Sequence, residues 1–174
     1  MQQNRSSVHP LPAGSRASVA TIKLTYSSSI PPDRRPVCSD SESAYQIFST
    51  WWDSETLELY ETFAVLLMDR QHRVIGLYEH SRGGTSATVF DPKLIMSAAI
   101  LSRAEGIVLA HNHPSGMLSP SSADILLTKR LATVAALHHI PVQDHLLLSP
   151  WGGYYSFAAS RPQDLKEYNL AELG

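Results

Sequence analysis

Five side chains in this sequence have the types and the spacing of a hydrolytic metal site. His111 and His113 stand two apart, directly after the wholly apolar run 107–110, which reads as a central buried strand. Side chains alternate along an extended chain, so both imidazoles can converge on one ion while Asn112 points away. Pro114 and Gly116 then turn the chain, and Asp124 follows eleven residues after His113, in the first turn of an expected helix. A carboxylate there can fold back onto the two histidines. Two imidazoles and a carboxylate make a three-ligand set for one zinc ion. Zinc prefers four ligands, so the fourth position falls to water, the arrangement of a catalytic rather than a structural site. Water bound in this way ionises near pH ~7 and is available as hydroxide.

Such chemistry also needs a proton carrier and a group that stabilises the oxyanion. Glu79 is selected as general base, because it follows an expected strand over 73–78 and precedes Gly83 and Gly84, where backbone can approach a ligand closely. Glu105 and Asp144 are carboxylates of the same kind and stay open as alternatives. Ser121, three residues before Asp124, is placed to donate to a developing oxyanion.

The elements that must position these groups follow from pattern and punctuation. Residues 1–18 read as a flexible leader, 19–26 as a short strand and 27–35 as a Pro-containing linker. Ser39 or Asp40 caps a helix running to about Trp52, with Ala44, Ile47, Phe48 and Trp51 on one face. Strands over 61–69 and 73–78 flank Arg70-Gln71-His72 as a hairpin, and 85–90 is a weaker strand. Asp91-Pro92 starts a helix that presents Leu94, Ile95, Ala98 and Leu101 on one face. After the strand at 107–110, Ser119-Pro120-Ser121 starts a helix reaching about His138, followed by strands over 142–148 and 154–157. Alternating strands and helices imply a sheet with helices packed on its faces. The expected organisation is an N-terminal extension and linker over 1–39, a globular unit over 40–160 and a polar tail over 161–174.

Composition narrows the chemistry. The 174 residues include 43% hydrophobic and 17% charged, which is globular. A single cysteine, Cys38, excludes a disulfide framework, a CxxC pair and any zinc site with two thiolates, so a metal site must use imidazole and carboxylate. It also excludes a nucleobase deaminase, which needs Pro-Cys-x-x-Cys. The net charge of −2 supplies no bulk field for nucleic acid, so nucleic-acid partners are not expected. No stretch has the length of a secretory signal or a membrane span, and a cytoplasmic protein without membrane contact is expected. No oligomeric state follows from the sequence.

The string His111-x-His113-Pro114, six residues, then Ser121-x-x-Asp124 resembles the JAMM (MPN+, JAB) metalloprotease signature. The longer string HNHPSG…SPSSAD resembles the RadC branch of that family, as do LLMDRQHRVIG, the Glu followed by SRGGTSAT, DHLLL and YYSF. The resemblance covers roughly residues 60–157. It implies a three-layer α/β/α sandwich with a mixed sheet, similar to cytidine deaminases. It implies zinc at His111, His113 and Asp124, transition-state help from Ser121, and water activation by the acid matched here to Glu79. The implied activity is hydrolysis of a peptide or isopeptide amide bond. The alternative is a RadC-type DNA-repair-associated or binding protein on the same fold without peptidase activity. Longer RadC-type chains carry an N-terminal helix-hairpin-helix region, for which the leader here is too short.

Plainer roles compete for the same residues. Ser121-x-x-Asp124 is also a capping box, with Asp124 satisfying backbone N–H groups. The letters HNH belong to a nuclease class that spreads its His and Asn over a ββα unit, whereas here they are consecutive. His138 and His139 suit the end of a helix. His145 reads as a packed residue or one that orients a metal-bound imidazole, together with Asp144. His9, His72 and His80 read as surface residues.

Overall fold

The computed structural model describes residues 28, 30–83 and 90–166. The expected leader, the strand over 19–26, Gly84, all of the strand over 85–90 except Phe90, and the tail beyond residue 166 lie outside the described residues. Helix α1 (Ser41–Trp51) is followed by β1 (Thr62–Met68), β2 (Val74–Arg82), α2 (Pro92–Leu101), β3 (Gly106–Asn112), α3 (Ser122–Leu137), β4 (Val142–Leu148), β5 (Tyr154–Ser156) and the single turn α4 (Phe157–Ser160). The sheet order is β2-β1-β3-β4-β5, antiparallel except for the β3–β4 pair. A mixed sheet with helices on both faces matches the expected three-layer sandwich.

Alternation along the strands divides the core between the faces. Phe63, Val65, Leu67, Ile107 and Leu109 pack against Ile95, Met96 and Ala99 of α2 and Leu131, Ala132 and Ala135 of α3. Their neighbours Ala64, Leu66, Met68, Val108 and Ala110 pack against Ala44, Phe48 and Trp52 beneath α1. Burying both faces explains why β1 and β3 are apolar throughout.

The helix starts follow their capping signals. Asp40 accepts from the Ser43 amide, Asp91 from that of Lys93, and Ser121 from that of Asp124. The buried faces differ from expectation at two places. On α2 the inward stripe is Ile95, Met96 and Ala99, while Leu94 and Leu101 are exposed. At the end of α1, Trp52 rather than Trp51 enters the core. The helix stops at Trp51, and Trp52 adopts extended backbone that swings its ring under the sheet, edge-on to Trp51. No helix among the described residues is long and apolar enough to cross a membrane.

Candidate metal centre

Strand β3 runs two residues further than its apolar stretch, so His111 lies within the sheet and His113 just beyond it. The His113 amide still donates to the Leu148 carbonyl at 3.0 Å, which keeps the segment extended and both imidazoles on one face. The chain then turns, with the Gly116 amide donating to the His113 carbonyl at 2.8 Å. Gly116 has φ +69°, and a Cβ there would lie 2.0 Å from the Trp151 ring, so the turn requires glycine for both conformation and space.

Asp124 enters from the first turn of α3. His111, His113 and Asp124 each present one ligand atom, and these atoms lie within 4.8 Å of one another. His111 Nε2 is 3.0 Å from His113 Nε2 and 3.2 Å from Asp124 Oδ1, and His113 Nε2 is 3.6 Å from Asp124 Oδ2. His111 and Asp124 are buried, and His113 forms the more accessible side.

The donor set fits a metal ion. His113 Nδ1 lies 2.6 Å from the Met117 carbonyl oxygen, which can only accept. The ring hydrogen is therefore on Nδ1, and the Nε2 lone pair faces the cluster. A lone pair and a carboxylate converging at this range need a cation or a shared proton between them. Two nitrogens and one oxygen in a partly open site suit zinc. The hydrogen bond to Asp124 raises the His113 pKa above its ordinary value against the opposing effect of burial. Burial alone would raise the Asp124 pKa, but the facing imidazoles of His111 and His113, together with the hydrogen bond from Ser121, hold its carboxyl well below the usual range.

Asp124 and Ser121 also form the capping box. Asp124 Oδ2 accepts from the Ser121 amide and the Ser121 hydroxyl, both at 2.7 Å, while Ser121 Oγ accepts from the Asp124 amide at 3.1 Å. The two readings of this motif are thus compatible, since one carboxylate caps the helix and faces the histidines. The Ser121 hydroxyl hydrogen is directed at Asp124.

Glu79 is not brought to the cluster. It lies within β2 rather than after a strand, opposite Ala64, which in turn pairs with Ala110. Those alanines face α1, the opposite side of the sheet from Phe63 and His111. The exposed Glu79 carboxylate instead accepts from Arg82 Nη2 at 3.1 Å. His80 is an extra residue between the pairs Ala64–Glu79 and Phe63–Ser81, and its ring meets Phe63 edge-on on the metal-centre face. His80 is consequently half-buried, with Nε2 accepting from the Asp91 amide, rather than a surface residue.

A carboxylate close to the cluster is Glu61. It lies two residues before Phe63, the strand partner of His111, and near enough to His113 for its charge to act on the ring. Its negative charge contributes to the raised His113 pKa, after the larger effects of Asp124, burial and the Met117 carbonyl. Asn112, between the histidines on the other face, anchors the segment that carries Glu61. Its Oδ1 accepts from the Thr62 amide at 2.8 Å, and its Nδ2 donates to the Leu57 and Tyr60 carbonyls at 2.7 and 2.8 Å. Glu61 stood at the head of an expected strand, but nothing in the sequence said which strand would pair with it.

The other two acids considered lie elsewhere. Glu105 is exposed and paired with Arg70. Asp144 faces α1 and accepts from Ser41 Oγ, Ser156 Oγ and the Ala158 and His145 amides, so it does not orient an imidazole. His145 does meet His111: its Nε2 lies 2.8 Å from His111 Nδ1, and its Nδ1 lies 2.7 Å from Thr128 Oγ1. Burial, and then the charge of His111, pushes the His145 pKa well below its ordinary value.

The chain is similar to several proteins called "UPF0758 protein". That of Porphyromonas gingivalis is 40% identical over 126 residues, covering 72% of this chain and 54% of its own length. That of Thermosynechococcus vestitus is 43% identical over 102 residues, covering 59% and 40%. That of Actinobacillus succinogenes is 42% identical over 104 residues, covering 59% and 47%. The chain thus spans about half the length of these relatives. The RadC-like JAB domain matches residues 38–162, which include every element of the sheet and the whole His-His-Asp cluster, and the chain belongs to that family.

Proposed function

We propose that the chain is a zinc-dependent hydrolase of peptide or isopeptide amide bonds. The observation that supports this most is the convergence of His111, His113 and Asp124 on one point, with Glu61 near enough for its charge to act on His113. A zinc ion held by the three side chains supplies Lewis-acid activation of water and of the scissile carbonyl. The chain's own residues handle the protons. The Glu61 carboxylate takes a proton from the attacking water as the new C–O bond forms, then delivers it to the amide nitrogen as the C–N bond breaks. The products are a carboxylate and an amine. The Ser121 hydroxyl, turned from Asp124 toward the substrate, donates to the oxyanion. In this reading Glu61 takes the role expected of Glu79, because a proton carrier must share the face of the ligands.

The test joins metal analysis of the purified chain with turnover of a panel of peptides and isopeptide-linked conjugates. Zinc near one equivalent is expected, with hydrolysis abolished by Glu61→Gln and retained by Glu79→Gln. Loss with Glu79→Gln and retention with Glu61→Gln would return the role to Glu79. A zinc-loaded chain that hydrolyses no member of the panel would favour a binding protein on the same fold.

A further inference from the structure

We infer that Thr128 and His145 are positioning residues that hold His111 in the one tautomer able to ligate a metal ion. They act through a chain of hydrogen bonds that begins on the backbone of Asp124. The inference rests on the metal-centre reading above but concerns two residues outside the ligand set.

The direction of each bond follows from the first. Thr128 Oγ1 lies 2.6 Å from the Asp124 carbonyl oxygen, one helical turn back along α3. Two oxygens this close repel unless a hydrogen lies between them, and the carbonyl has none, so the threonine hydroxyl donates. That uses its only hydrogen. Toward His145 Nδ1, at 2.7 Å, Thr128 Oγ1 can then only accept, and the ring hydrogen of His145 is on Nδ1.

His145 is fully buried, with Phe157 stacked on one side at 5.0 Å and Phe63 tilted at 5.7 Å. Its ring nitrogens meet a hydroxyl and an imidazole, and neither is a carboxylate, so no hydrogen-bond partner offsets the cost of burying a positive charge and the ring stays neutral. Its Nε2 is therefore a bare acceptor, 2.8 Å from His111 Nδ1. His111 must donate from Nδ1, which leaves the Nε2 lone pair aimed at His113 and Asp124.

The two metal-facing imidazoles are thus oriented in different ways. His113 donates its other N–H to a fixed backbone acceptor, the Met117 carbonyl. That is the usual device, since a carbonyl has no alternative state. His111 donates to a second imidazole, which can present either nitrogen as acceptor. It is dependable only because Thr128 dictates which nitrogen carries the hydrogen. The chain closes on itself: Asp124 offers its carboxylate to the metal position and its carbonyl to the relay that orients His111.

The test uses the full chain and zinc ion, with Thr128→Val, which removes the hydroxyl at nearly constant volume, and Thr128→Ser, which restores it. Zinc affinity is measured by chelator competition, and long-range 1H–15N spectra of the metal-free protein report which ring nitrogen of His145 and of His111 is protonated. The parent is expected to show both rings protonated on Nδ1. Thr128→Val is expected to shift His145 toward the Nε2-protonated form and to lose about 10–100-fold in zinc affinity, with Thr128→Ser within about threefold of the parent. A merely structural Thr128 would lower the melting temperature without moving the tautomer. The inference is overturned if parent His145 carries its proton on Nε2, or if Thr128→Val binds zinc as the parent does. A parent that binds no zinc would remove the metal reading instead, and the spectra would still decide the relay.

Discussion

Asp124 has two roles on the same carboxylate, and Asp124→Asn separates them. As a cap, Asp124 accepts from the Ser121 amide and hydroxyl, and an asparagine amide oxygen can accept both. Its amide nitrogen then faces His111 and can donate to the bare Nε2. The metal-free variant should therefore lose no more than about 1 kcal/mol of stability. As a ligand, the variant loses its negative charge and turns a donor toward the ion, which costs on the order of 100-fold in zinc affinity or more.

Zinc at 100 times the parent dissociation constant stabilises the parent by about 2.7 kcal/mol, and at the same concentration stabilises the variant by about 0.4 kcal/mol. For a chain of this length that is a rise in melting temperature of about 5–11 °C against about 1–2 °C. The assay is thermal unfolding with and without zinc. Ser121→Ala supplies the converse, losing about 1 kcal/mol of capping without metal while keeping most of the zinc-induced rise. Equal zinc-induced rises in parent and Asp124→Asn would refute the argument and leave Asp124 a cap alone. The parent's rise should shrink as pH falls through the raised His113 pKa, because a proton then competes for the same nitrogen. The carboxylate's own contribution runs the other way from a raised group. Its folded pKa is depressed, so the stability is present above pH ~4, the unfolded value, and is lost as pH falls below it.

Three further outcomes follow from the same geometry. Asn112→Ala strands the Thr62 amide and the Leu57 and Tyr60 carbonyls, and should lower stability in denaturant titrations by about 2–4 kcal/mol. Gly116→Ala combines left-handed backbone with a Cβ clash on Trp151, costing about 1–2 kcal/mol and shifting tryptophan emission, since the exposed indole must move. Burial pushes the Cys38 thiol up to about 11, so an aromatic disulfide reagent should react at pH 8 only as fast as the protein opens. With a raised folded pKa, that stabilisation is complete below the unfolded value near pH ~8.5 and is lost as pH rises toward 11.

The local features of this protein were legible in its sequence. His-x-His on an apolar strand must share a face, because the side-chain period in a strand is two. Asp40, Asp91 and Ser121 mark helix starts, because free amides at a helix N-terminus need an oxygen within a few residues. The spacing of His111, His113, Ser121 and Asp124 carried the family, which the match over 38–162 bears out. The three ligand candidates come from one continuous stretch of 14 residues, 111–124, so little long-range information was needed to bring them together.

The groups around that cluster come from other strands, and there tertiary structure decided. Glu61 comes near His113 because β1, not β2, lies beside β3. Glu79 faces away because of its register against Ala64, with His80 inserted next to it. His145 reaches His111 because an extra residue, Gln143, interrupts the β3–β4 register and reverses which side chains of β4 face the metal centre. Each outcome turns on strand order or on one inserted residue. A one-residue slip moves every following side chain to the opposite face, and a chain's own alternation holds no record of where its neighbour will impose one.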